Sequence, residues 1–280
     1  MSQQTARHPI AMKKVVYQIP GMEAAVVRRD EPYNTTGADP LTMDRYYPSD
    51  AAPGARLPAV VVVLGYPPRT PNPLGCQFKE MEWSVSWGQL IAASGLAAVF
   101  YTNREPESDL RTLLHHLRAN AESLGIDDRR IGLLATSGNA PVALSILMEE
   151  GRLLKCAALC YPLTLDLGGA TAVAEAARQW GFVNAAAGKS VGDLPHDLPL
   201  FIARAGQDEF PHLNETLDRF LAESLARNLP VTFVNHADAP HAFDLVHDSE
   251  TTREIIRQIL RFLQFHLQAE RASCKSAGLS

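Results

Sequence analysis

The stretch RIGLLATSGNA, residues 130–140, decides how this 280-residue chain is read. The apolar run 131–134 has the composition of a buried strand, and it gives way abruptly at Ser137 to a helical segment that starts around Pro141 and runs through 142–148. Small residues flank the serine at Ala135 and Gly138, as a sharp strand-to-helix turn requires. This is the sequence form of a nucleophile elbow, which holds a serine hydroxyl where a base can reach its proton. The usual pattern is G-x-S-x-G, but here Ala135 and Asn139 hold the outer positions. Alanine adds one methyl. Asn139 must either point its amide into the site, where it would contact substrate, or pack beside the turn. Taken alone, Ser137 would serve equally well as the cap of the following helix.

Around this stretch, short apolar runs recur at 59–64 (AVVVVL), 97–101 (AAVFY), 157–161 (AALCY), 200–205 (LFIARA) and 231–235 (VTFVN). Segments of helical period separate them, at 80–94, 108–124, 140–150, 211–228 and 249–270. In 108–124 the residues Leu110, Leu113, Leu114, Leu117, Ala121 and Leu124 form one stripe, with Gly125 at its stop. Alternation of this kind predicts an α/β fold: a doubly wound, mostly parallel sheet flanked by helices. The alternating pieces 14–19, 24–29 and 41–47 predict antiparallel edge strands ahead of it. One such unit accounts for 1–280; the stretch 162–198, with a helix at 170–180, is longer than a crossover needs and reads as a cap-like insertion. The small polar tail 272–280 reads as frayed.

Composition excludes several classes. A net charge of −5 offers no basic surface for nucleic acid, and no stretch approaches the roughly 18 apolar residues of a membrane helix. The N-terminus lacks the apolar core of a signal peptide. Cys76, Cys156, Cys160 and Cys274 are too few and too unevenly spaced for a disulfide framework or a zinc site, and Cys156 and Cys160 would lie roughly 13 Å apart along one strand. A cytoplasmic protein without metal is expected.

Asp208 follows the run LFIARA, and His241 follows the next run, VTFVN. Ser137, Asp208 and His241 thus come in the order nucleophile, acid, base, each on a turn beyond a strand's carboxyl end, where doubly wound sheets hold ligands. Glu209 and Asp166 compete for the acid; His236 and His247 compete for the base. Two irregular stretches leave from the same edge: the loop 65–75, GYPPRTPNPLG, with four prolines, and 162–198.

The chain resembles the α/β-hydrolases, in the broad group of dienelactone hydrolases, esterases and acylaminoacyl-peptidase-like enzymes. The resemblance spans about 41–267 and rests on PLTMDRYYP (40–48), PAVVVVLGY (58–66), GIDDRRIGLLATSGNA (125–140), AGQDEF (205–210) and APHAFD (239–244). It implies that Ser137 attacks an acyl carbonyl, that His241 carries the proton and that Asp208 orients the imidazole. An oxyanion hole would take one N–H from Gly138; the resemblance points to Tyr66 for the second, since Pro67 and Pro68 have none and the next candidate is Arg69 or beyond. Arg69 could also meet a substrate carboxylate. The expected substrate is a small acyl compound, cleaved as an ester with no cofactor. A peptidase, a lactonase and a non-catalytic ligand receptor of the same fold are the alternatives. The sequence sets no oligomeric state, and a homodimer is compatible with it.

Overall fold

The computed structural model describes residues 7–37 and 39–268, and eight strands in one sheet organise them. The strands are β1 (Val26–Asn34), β2 (Leu41–Tyr47), β3 (Leu57–Val62), β4 (Ala97–Tyr101), β5 (Ile126–Thr136), β6 (Ala157–Cys160), β7 (Leu200–Ala205) and β8 (Val231–His236). Their spatial order is β1-β2-β4-β3-β5-β6-β7-β8, with β1–β2 and β2–β4 antiparallel and the rest parallel. The helices are α1 (Glu82–Ala93), α2 (Pro106–Ala119), α3 (Ala140–Glu150), α4 (Ala172–Trp180), α5 (Leu213–Ala226), the single turn α6 (Phe243–Val246) and α7 (Glu250–Gln268).

The central strands are apolar on both faces because helices cover both. Val61, Val99, Leu133 and Ala135 pack with α2, α3 and α5, whereas Val60, Ala98, Leu134 and Ala158 pack with α1 and α7. Side-chain alternation along each strand therefore feeds two separate cores. The chain leaves β3 toward β4 on one side and leaves β5 toward β6 on the other. The carboxyl ends of β3 and β5 thus flank the switch point, where a doubly wound sheet opens a crevice.

The expected sheet is present, with one correction at its start. Residues 14–19 are not a strand: Val15 N–H donates to Ser86 Oγ on α1 at 3.0 Å and Val16 N–H to the carbonyl of Asp244 at 2.9 Å. Their alternation seats Val15 against α1 instead of pairing a neighbour. The second expected edge piece begins at Val26 and runs on to Asn34 through a bulge where Asp30 takes φ +55°. Helix α2 starts at Pro106, where the Asp109 carboxylate accepts the N–H groups of Arg104 and Glu105 at 2.7 Å each, and ends five residues before Leu124. The 162–198 stretch carries α4 and lays Phe182 against Gly138; the tail 272–280 lies outside the described residues.

Candidate active site

Strand β5 ends at Thr136, and the next residue, Ser137, takes φ +51°. A non-glycine residue in this region costs on the order of 1–3 kcal/mol and is held only by its surroundings. Those surroundings leave no room for a side chain at Gly138, where a Cβ would lie 2.5 Å from the Tyr66 hydroxyl and 2.6 Å from Phe182 Cδ1. The chain makes one tight turn over Ser137–Asn139 and enters α3 with Pro141 in its first turn. Ala135 is fully buried in the core, so its methyl is accommodated.

Asn139 packs beside the turn. Its side chain is buried, and its carbonyl oxygen accepts the N–H of Gly65, the residue after Leu64 at the end of the β3 run, at 2.7 Å. Gly65 has to be glycine, since a Cβ there would meet the Gly138 oxygen at 2.8 Å and the Asn139 Cα at 2.9 Å. The close backbone approach across the elbow therefore falls on Gly65, and Asn139 ties the two turns together.

Ser137 Oγ lies 2.8 Å from His241 Nε2, and His241 Nδ1 lies 2.7 Å from Asp208 Oδ2. The Asp208 side chain is completely buried, and its other oxygen accepts the Phe210 N–H at 3.0 Å. With a carboxylate on Nδ1, that nitrogen carries a proton and Nε2 is free to accept one from the serine. The imidazole is held between two rings, Phe210 at 4.5 Å and Tyr161 at 4.9 Å between centroids. Ala242 next to it takes φ +55°, the conformation for which glycine is the usual choice.

The competing residues stand outside this relay. Asp166 accepts the N–H groups of Val173 and Ala174 and so caps α4; Glu209 is exposed; His236 is buried with Nε2 on Thr252 Oγ1 at 3.0 Å, its ring against that of His247. Among the N–H groups following β3, that of Leu64 goes to the Tyr101 hydroxyl and that of Gly65 to Asn139. The N–H groups of Tyr66 and Gly138 make no hydrogen bond among the described residues. The Tyr66 phenol beside Ser137 is held above its ordinary pKa by burial, so it stays protonated. Arg69, at the cavity mouth, donates from its guanidinium to the Trp180 carbonyl at 2.5 Å. Beyond Ser137 opens a cavity of about 540 Å³.

Behind the histidine lies a second cluster, which the sequence did not bring together. The buried Asp244 carboxylate receives the indole N–H of Trp83 at 2.7 Å, that of Trp87 at 2.9 Å and the Tyr161 hydroxyl at 2.6 Å. Tyr161, at φ +38°, is the ring that flanks His241, and burial together with Asp244 drives its pKa well up. Its position just past the β6 run was the available signal. The partners of Asp244 on α1 are 157 and 161 residues away in the chain. Among the described residues no group of three or more His, Cys, Asp or Glu side chains is arranged to hold a metal ion, and no helix is long and apolar enough to cross a membrane.

The sheet order, the antiparallel edge and the strained serine turn define the α/β-hydrolase fold, and solved structures agree. A bacterial heroin esterase superposes with a TM-score of 0.70 at 15% identity, over 91% of this chain and 88% of that one. The hyperthermophilic esterase of the archaeon Pyrobaculum calidifontis gives 0.64 at 18% identity, covering 85% of each chain. A thermophilic esterase from the planctomycete Thermogutta terrifontis, with propionate bound, gives 0.61 at 20%, over 90% of this chain and 98% of that one. No family model and no curated protein matches the sequence.

Proposed function

We propose that this protein is a serine hydrolase that cleaves carboxylic esters through an acyl-serine intermediate. The observation that carries this reading is the unbroken relay from Ser137 Oγ through His241 to the buried Asp208, at 2.8 and 2.7 Å, with the oxygen on a strained turn facing a cavity. Ser137 Oγ attacks the ester carbonyl while His241 Nε2 takes its proton, and Asp208 stabilises the imidazolium that results. The tetrahedral oxyanion is received by the unengaged N–H groups of Gly138 and Tyr66, the former at the start of the turn into α3. Collapse expels the alkoxide, which His241 protonates. Water, deprotonated by the same nitrogen, then attacks the acyl-serine and releases the acid and the free serine.

That the solved structures of similar fold are esterases supports the ester as the bond cleaved. A receptor of the same fold would have no need of a serine within hydrogen-bond reach of a carboxylate-oriented histidine, so the relay favours the hydrolase. The test is Ser137→Ala assayed on 4-nitrophenyl butyrate. Loss of kcat by about 10⁴-fold or more with the melting temperature preserved supports the reading. Turnover within tenfold of the parent removes it.

A further inference from the structure

Ser137 and His241 stand 104 residues apart in the chain, yet one short stretch, 161–163, touches both. It follows β6 directly, and the Tyr161 N–H donates to the Ala203 carbonyl on β7 at 2.7 Å. The Leu163 N–H donates to the carbonyl of Ser137 at 3.2 Å, while the Tyr161 ring lies against the His241 imidazole at 4.9 Å between centroids. This stretch is therefore fixed to the sheet and to the serine turn. What it does for the histidine depends on where the tyrosine ring stands.

The ring is anchored through its hydroxyl, which donates to Asp244 Oδ1 at 2.6 Å. Asp244 belongs to α6, the turn that follows His241, so the hydroxyl ties the end of β6 to the histidine loop. An ionised carboxylate only accepts, and the other oxygen of Asp244 takes the indole N–H groups of Trp83 and Trp87 on α1. The anchor is thus held from two further directions. Tyr161 also sits at φ +38°, a conformation that a bulky side chain keeps only where its surroundings hold it. In that conformation the ring reaches the imidazole and the hydroxyl reaches Asp244.

His241 needs this support. Its bond from Nδ1 to Asp208 fixes one nitrogen but leaves the ring free to swing about that bond, and Nε2 must stay on Ser137 Oγ to take its proton. Contact with Phe210 at 4.5 Å and with Tyr161 removes that freedom.

We propose that Tyr161, anchored by Asp244, is a positioning residue that registers His241 on Ser137. The proposal rests on the reading of Ser137 as the nucleophile of an ester hydrolase. Tyr161→Phe removes the hydroxyl alone and keeps the ring that lines the cavity, so substrate binding is preserved while the ring loses its tether. A misplacement of about 1 Å at a reacting group costs up to about a hundredfold in rate.

The experiment compares the parent with Tyr161→Phe, Asp244→Ala, the double variant and Trp87→Phe, each well below its melting temperature. It measures kcat and KM on 4-nitrophenyl butyrate and the rate of fluorophosphonate labelling. In Tyr161→Phe, kcat should fall about tenfold to a hundredfold with KM within about twofold, and labelling should slow in parallel, because both reactions need the proton to leave Ser137. The double variant should lie within about twofold of Asp244→Ala, since the hydroxyl has no function once its anchor is gone. Trp87, fully buried and away from the cavity, also donates to Asp244 but does not touch His241; Trp87→Phe should lower the melting temperature and leave kcat within about twofold. A kcat for Tyr161→Phe within about twofold of the parent, a loss confined to KM, or equal losses of kcat in Tyr161→Phe and Trp87→Phe overturns the proposal, and these comparisons decide it even if Asp244→Ala fails to fold. Labelling of the parent but not of Ser137→Ala leaves the nucleophile reading standing in each of those cases. Equal labelling of the two removes that reading itself.

Discussion

Replacing Asn139 by Ala removes the acceptor that pins the turn after β3 to the serine elbow. The Gly65 N–H, bonded to the Asn139 oxygen at 2.7 Å in a buried setting, would lose its partner. Leaving a buried donor unsatisfied costs about 1–3 kcal/mol. The second contact of this side chain, Nδ2 to Thr136 Oγ1 at 3.4 Å, is too long to add much. At about 2–4 °C for each kcal/mol in a chain approaching this size, the melting temperature should fall by about 2–12 °C. The effect on activity has a separate origin. Gly65 precedes Tyr66, whose N–H is the second proposed oxyanion donor, and freeing one end of that peptide lets the donor drift. Outright loss of such a donor costs about 10²–10³ in kcat, so a displaced one should cost about tenfold to a hundredfold. KM should change little, because the bond strengthens in the transition state. Thermal melts by circular dichroism and steady-state kinetics on 4-nitrophenyl butyrate give both numbers. A variant with the parent's melting temperature and the parent's kcat refutes the role assigned to Asn139.

Gly65→Ala should be more damaging than Asn139→Ala, since its methyl meets backbone atoms of Gly138 and Asn139 at under 3 Å; soluble variant with parental kcat would contradict the close approach. Asp244→Ala strands two indole N–H groups and a phenol, so urea titration should show a loss of about 3 kcal/mol or more, and an unchanged midpoint would argue against the buried network. His236 is held below its ordinary value of 6.5 by burial, with His247 acting in the same direction. The unfolded chain therefore takes up the proton first as pH falls: the neutral ring's contribution to stability is complete above pH 6.5 and is lost as pH drops through the lowered native value. Urea midpoints between about pH 7.5 and pH 5 should decline, and decline less in His236→Asn; parallel slopes in the two proteins would show that another group is responsible.

Much of this arrangement was legible in the sequence, because the parallel strands are buried on both faces and show as unbroken apolar runs, and because Asp208 and His241 each follow such a run directly. Their order along the chain, each just past an apolar run, places them at one edge of the sheet. Residues 14–19 misled because alternation records one buried face and not what covers it; here the cover is α1 and not a neighbouring strand. At Asn139 the sequence left two orientations open, and the choice depends on Gly65, 74 residues away, whose lack of a side chain brings the turn within reach of the amide. The Asp244 network was hidden for the same reason. An aspartate three residues after a histidine looks like any polar loop residue until Trp83 and Trp87, on a helix against the opposite end of the chain, are seen to point at it.

The central claim is that Ser137 is the nucleophile. Its most direct test is peptide-resolved mass spectrometry after reaction with a fluorophosphonate. One phosphonyl adduct should appear on the peptide containing Ser137, form at a rate that collapses when His241 is replaced by Ala, and be absent from Ser137→Ala. An adduct on another residue, or equal labelling of the Ser137→Ala variant, would contradict the account.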